Sequence, residues 1–263
     1  MNQENPLIIE RDGPVCTVMI NNPDKHNVLT PLCFKKLIET FDELSQDKDL
    51  RVTILRGKGM AAFSAGADIS EMPERDVDDQ SGIHEDAASA CEVISRHPFP
   101  VVAMLSGYTL GAGCILAMAS DIRIAGKSLK MGIPTSRMGL ISDFRTFKRF
   151  LTVMGLSTAL EIFLTGRFYD SRESLEMGLV NHVVANVHLE SYVHDLAQDI
   201  SRCAPLSLKG SKFILNRIAE SPVPSSEDIE TFRSLRTTAV QSKDHEEAKR
   251  AFKEKRPPQF KGR

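Results

Sequence analysis

Two short stretches rich in glycine and alanine offer chemistry without any reactive side chain: Phe63-Ser64-Ala65-Gly66-Ala67-Asp68 and Ser106-Gly107-Tyr108-Thr109-Leu110-Gly111-Ala112-Gly113. Each runs from a strand-like segment toward a helix-like one. Small residues at such a turn let backbone N–H groups approach a ligand closely, and the helix dipole favours negative charge at that end. Two turns of this kind in one domain can aim two donors at one oxygen, which makes an oxyanion hole. Asp143 is an acid standing directly before the helical pattern 144–151, where local pattern alone reads it as the helix cap.

Such turns need a scaffold, and the pattern supplies one. Val15–Ile20 alternates as a strand, with Leu7–Ile9 before it across Asp12-Gly13-Pro14. Thr30-Pro31 starts a helix that runs to Gln46, with Leu37, Ile38, Phe41 and Leu44 on one face. Strands are expected at 51–55, 101–105, 122–125 and 179–184, with helices at 83–96 and 111–119 between them. Alternating strands and helices indicate an α/β domain. Asp170-Ser171-Arg172-Glu173 has the form of a capping box. Beyond His188 only helical segments appear, at 189–201, 205–219, 227–240 and 243–255. We therefore expect an α/β core over residues 1–195 and a helical appendage over 196–263.

Composition narrows the function. The 263 residues carry a net charge of −2, with 33 basic and 35 acidic side chains, so no bulk attraction to nucleic acid or acidic membrane is expected. The polar start Met1-Asn2-Gln3-Glu4-Asn5 lacks an apolar leader, and the apolar runs are too short to span a bilayer. A soluble, cytoplasmic protein is expected. The five cysteines form no C-x-x-C pair and the seven histidines no metal-binding spacing, so neither disulfide framework nor metal site is expected.

Five segments in fixed order resemble the enoyl-CoA hydratase/isomerase (crotonase) superfamily: Asn22-Pro23-Asp24-Lys25-His26-Asn27-Val28-Leu29, 63–71, 107–114, Ser120-Asp121-Ile122-Arg123, and Gly166 with Met177-Gly178-Leu179-Val180. The likeness extends to the ending Phe252-Lys253-Glu254-Lys255-Arg256. It implies a spiral of β-β-α units followed by a helical trimerisation region, assembled as a homotrimer or a dimer of trimers. It also implies an acyl-CoA thioester substrate, with coenzyme A as part of the substrate and no separate cofactor. By motif position Ala67 and Ala112 would supply the oxyanion donors. Lys25, Ala65, Asp68 and Ile69 match segments that wrap the coenzyme, and Phe252 and Lys255 match a C-terminal pair reaching the nucleotide.

The resemblance also marks two departures. Hydratases of this superfamily place glutamates at positions that match Ile115 and Thr135. Isoleucine exchanges no protons, and a threonine hydroxyl is a poor base at neutral pH. Gly139-Leu140-Ile141-Ser142-Asp143 resembles the segment in which dienoyl-CoA isomerases carry a catalytic aspartate. Asp143 thus becomes the expected acid/base, alongside its role as a cap, for double-bond isomerisation through an enolate. Hydration of an atypical dienoyl or cyclic enoyl-CoA, thioester hydrolysis or C–C lysis, and a non-catalytic CoA-binding subunit stay open beside it. Tyr108, Ile115, Thr135, Phe144 and Arg145 are the expected acyl-pocket residues. Arg145, Lys148 and Arg149, at helical spacing, also read as a solvated basic face, and Glu71 as a reserve acid or a helix cap.

Overall fold

The computed structural model describes residues 5–68 and 83–263, with only the backbone of 83–85. Ile69 and Glu71 lie outside the described residues. Strands β1 (Leu7–Asp12) and β2 (Val15–Ile20) form the expected hairpin. Helix α1 (Pro31–Gln46) begins as its sequence dictates, with Pro31 in the first turn and the Thr30 hydroxyl accepting from Cys33 N. Then follow β3 (Val52–Gly57), β4 (Ala62–Ser64), α2 (Ile83–Arg96), β5 (Val101–Leu105), β6 (Tyr108–Leu110), α3 (Ala112–Ala119), β7 (Ile122–Gly126) and β8 (Lys130–Gly132).

Successive strands alternate between two sheets. β3, β5 and β7 join a sheet of order β1-β2-β3-β5-β7-β10, parallel from β2 onward. β4, β6 and β8 pair in parallel in a smaller sheet, closed by an antiparallel β9 (Tyr169–Asp170). The pairs β3-β4, β5-β6 and β7-β8 therefore each give one strand to each sheet before a helix, the β-β-α arrangement expected, whereas β1 and β2 both join the larger sheet. The long strands are short apolar runs covered on both faces, as parallel sheets require. One face packs against Phe34, Leu37 and Phe41 of α1, Ile94 of α2 and Leu116 of α3. The other packs against Leu189, Val193 and Ala197 of a later helix.

The remaining elements are α4 (Phe144–Thr165), α5 (Ser171–Glu176), β10 (His182–Val184), α6 (Leu189–Ser201), α7 (Pro205–Glu220), α8 (Ser226–Val240) and α9 (Lys243–Glu254). Asp170 and Glu173 form the capping box expected at α5. The division expected at 195/196 falls inside α6. Buried Lys212 ties α7 to the core through Phe99 O (3.0 Å) and Asp121 Oδ2 (2.6 Å). Among the described residues no helix is long and apolar enough to cross a membrane.

Candidate active site

Parallel pairing of β4 with β6 and of β6 with β8 brings three strand ends to the same side of the small sheet. The carboxyl ends of parallel strands are where open α/β sheets take ligands. The turn after β4 holds Gly66 at φ 102°, and that after β6 holds Gly111 at φ 51°, both in the region that favours glycine. The turns nearly touch. A Cβ on Gly66 would stand 2.8 Å from Leu110 O and 3.5 Å from Ala112 N.

The first turn is held by a bridge. Leu29 N donates to Gly66 O (2.8 Å) and Asp68 N to Leu29 O (3.0 Å), which spans Ala67 without using its N–H. Ala65 N donates to His26 O (2.9 Å), and the Lys25 ammonium lies 3.3 Å from Asp68 Oδ2. The Asn27 side chain, fully buried, donates to Ala62 O (2.8 Å) and Lys58 O (3.1 Å) and accepts from Asn22 N. The second turn begins α3, with Gly111 at the cap and Ala112 in its first turn. Gly111 N donates to Gly132 O (2.9 Å). Among the described residues, neither Ala67 N nor Ala112 N has a protein acceptor. An open donor at a helix N-terminus, as at Ala112, favours negative charge beside it.

Both donors border a cavity of about 170 Å³. Its wall includes Ala65, Ala67 and Ala112, the side chains of Ile115 and Thr135, and Asp143. Most of its lining is apolar, which strengthens any charge interaction inside. Asp143 is the one carboxylate among the described lining residues. It caps α4: Oδ1 accepts from Thr146 N (3.1 Å) and Oδ2 from the Thr146 hydroxyl (2.6 Å). Arg145 Nε stands 3.9 Å from Asp143 Oδ1, a half-exposed pair of small energetic worth. The cap read from local pattern is thus present, and the same residue faces the cavity.

A second cavity of about 300 Å³ shares Ile115 and Thr146 with the first. Phe144 and Arg145 line this one rather than the donor cavity, and Phe144 is 78% exposed. Arg145 pairs with Glu92 Oε2 at 3.2 Å. Cys91, also in this wall, has its thiol pushed up to about 12 by burial first and by the Asp143 carboxylate second, so it stays neutral.

Other expected residues stand elsewhere. Tyr108 does not line the donor cavity: its ring meets His26 edge-on (5.5 Å between centroids) on the outer side of β6. Phe252 is 86% exposed on α9, and Lys255 caps that helix in a left-handed conformation; neither borders the cavity. The solvated basic face expected at Arg145, Lys148 and Arg149 is corrected at one position, since Arg149 is largely buried and donates to three carbonyls of the α3 end. Met138, Leu140 and Ser142 also line the cavity; Leu140 and Ser142 lie in the segment matched for Asp143, and no sequence signal marked Met138 for it. Asn27 lay inside a matched segment, but its role as a latch needed the fold. Among the described residues no three His, Cys, Asp or Glu side chains gather as a metal-ligand set.

Comparison with known proteins gives this geometry a context. The family model described as enoyl-CoA hydratase/isomerase matches residues 10–263. A short-chain-enoyl-CoA hydratase of Clostridium acetobutylicum is 32% identical over 259 residues, which cover 96% of each chain. A 2,3-dehydroadipyl-CoA hydratase of Escherichia coli is 28% identical over 257 residues, 98% of this chain and 99% of that one. Among solved structures, an enoyl-CoA hydratase from Bacillus anthracis overlays with a TM-score of 0.92 at 26% identity, covering 98% of this chain and all of that one.

Proposed function

The chain belongs to the enoyl-CoA hydratase/isomerase family, and we propose that it moves a double bond within an unsaturated acyl-CoA, with Asp143 as acid/base. Its crotonase-like α/β fold and its standing as an acyl-CoA enzyme of that family form the premise. The observation that carries the finer reading is the single cavity bordered by Ala67 N, Ala112 N and the Asp143 carboxylate.

The chemistry follows from the placement. The thioester carbonyl accepts from the two backbone N–H groups. The Asp143 carboxylate takes a proton from the carbon flanking the double bond, Cα of a 3-enoyl or Cγ of a 2-enoyl thioester. The electron pair moves through the conjugated system onto the thioester oxygen, giving a dienolate. The protonated Asp143 then returns that proton to the other end, so the double bond has moved and nothing is gained or lost. Donors aimed at the developing oxyanion each contribute about 2.7–4 kcal/mol to the transition state. A placed acid/base adds about 10²–10⁴-fold. Ile115 and Thr135 line the cavity without a carboxylate, which disfavours water held between paired acids.

Hydration is the second reading, favoured by the printed names of the relatives. Incubation with 2-enoyl and 3-enoyl-CoAs in deuterated water separates the two. Isomerisation gives a shifted double bond and no added water, with carbon-bound deuterium to the extent that protonated Asp143 exchanges with solvent before it returns the proton. A hydroxyacyl product would install hydration instead, and free coenzyme A would install hydrolysis.

The assembly expected from the resemblance also has support. Large apolar side chains stand exposed on α4 (Leu156, Leu160, Leu164) and on α7 (Phe213, Leu215, Ile218). Apolar surface this extensive marks an interaction face. A homotrimer or a pair of trimers covers it, and light scattering should give about three or six times 29.2 kDa, whereas a 29.2 kDa species would refute it.

A further inference from the structure

Helix α3 presents the Ala112 N–H at one end, and a side chain of α4 holds the other end. Arg149 donates from Nε to Met118 O (2.7 Å) and from Nη2 to Ser120 O (3.2 Å) and Ala119 O (3.5 Å). The remaining carbonyls of that last turn are taken locally: Ala117 O accepts from Ser120 N (3.2 Å) and Leu116 O from the Ser120 hydroxyl (3.5 Å). Arg123 adds a donor to Ser120 O (2.8 Å) and anchors the junction to Leu179 O (2.8 Å). Among the described residues neither guanidinium has a carboxylate within ion-pair distance. Arg123 is buried and Arg149 largely so, and burial pulls their pKa values below the usual arginine range against the opposing pull of Asp121.

Keeping a cation out of water is costly, and the carbonyls at the end of α3, with the Asp121 carboxylate nearby, offset that cost. The geometry has a second consequence. Helix α4 is interrupted at Gly155 (φ 78°), beyond Arg149, so Asp143 and Arg149 share one unbroken segment. The carboxylate caps that segment, and six residues later the guanidinium grips the helix that carries an oxyanion donor.

We infer that Arg149 is a positioning residue: by clamping the carbonyl end of α3 to α4, it sets where the Ala112 N–H stands relative to Asp143. This rests on the reading of Ala112 as an oxyanion donor and Asp143 as the acid/base. A lysine can reach one of these carbonyls but lacks the planar fork that spans three.

The test compares wild type with Arg149→Lys, Arg149→Leu and Asp143→Asn. Two readouts are taken: kcat and KM on the best enoyl-CoA, and the infrared carbonyl stretch of a bound saturated acyl-CoA labelled with carbon-13 at the thioester. Misplacement of reacting groups by about 1 Å costs up to about 100-fold. Both Arg149 variants should lose about tenfold or more in kcat with KM nearly unchanged. The wild-type carbonyl stretch should fall below that of free ligand, and the Arg149 variants should show a smaller fall. Asp143→Asn should lose kcat while keeping the wild-type stretch. Guanidinium added to Arg149→Leu should restore part of the rate. Where Arg149→Leu fails to fold, Arg149→Lys carries both readouts. Folded Arg149 variants with wild-type kcat, or with the wild-type carbonyl stretch, would overturn the inference. A wild-type stretch equal to that of free ligand would overturn the oxyanion reading beneath it.

Discussion

Strands β1, β2, β3, β5 and β7 are five or six residues long, whereas β4, β6, β8 and β9 have only two or three. The long strands bury Val18, Leu55, Val101, Ala103 and Leu105 against α1, α2 and α3, and their other face lies under α6. The short strands bury Phe63, Met131 and Tyr169 as well, and their ends deliver Gly66, Ala67, Gly111, Ala112 and Thr135 to one cavity. The larger sheet carries the long apolar strands, and the ends of the smaller one carry the turns that border the cavity. The units that begin with β3, β5 and β7 contribute to both sheets, so the long strands set where the turns after the short ones stand.

Changes at either sheet should therefore separate stability from chemistry. The largest effect is expected for Asp143→Asn. Turnover of the best enoyl-CoA should fall about 10²–10⁴-fold. The melting temperature should stay near that of wild type, because Asn caps a helix about as well as Asp. Unchanged turnover would reduce Asp143 to a cap. Leu55→Ala, in the core of β3, reverses the pattern: about 2–5 kcal/mol of stability should be lost in denaturant unfolding, with kcat per folded molecule unchanged. A loss of kcat in the folded fraction would show that the sheets are not separable.

Gly113→Ala tests the junction between them. Its Cβ would stand 2.6 Å from Ser64 O and 2.7 Å from Ser64 Cβ, so α3 must move off β4. Overpacking costs about 1–3 kcal/mol, and kcat should fall with it because Ala112 moves too. Retained kcat would loosen the link between strand packing and donor placement. The effect that is smallest at neutral pH concerns His97, 2% exposed beside Phe41 and Phe99 and lowered by burial from 6.5 to about 3. The unfolded chain takes up a proton that the folded chain refuses. The stability present above pH 6.5 is therefore lost as pH falls toward 3, by at most about 1.4 kcal/mol per pH unit. Unfolding of His97→Gln should show a flatter acid limb, with turnover per folded molecule unaltered.

The same contrast explains what the sequence made legible. The hairpin, α1, the long strands and the C-terminal helices follow from apolar periodicity and caps such as Thr30 and Asp170, so their positions were readable. The four-stranded sheet was not, because strands of two or three residues leave no alternation to detect. Its turns were visible only as glycine and alanine. The site was legible through the matched motifs: Ala67, Ala112, Ile115, Thr135 and Asp143 do border one cavity. Arg149 was misread as solvated because its partners are backbone carbonyls of another helix, which spacing within α4 cannot reveal. Phe144 and Arg145 open onto the neighbouring cavity, where Arg145 meets Glu92 of α2, a contact between helices that the sequence does not reveal.

The most direct measurement is a crystal structure with an unreactive saturated acyl-CoA bound. The account predicts the thioester oxygen about 2.7–3.1 Å from both Ala67 N and Ala112 N, with the adjoining acyl carbons beside the Asp143 carboxylate. A carbonyl seated away from those two N–H groups, or an acyl chain turned from Asp143, would contradict it.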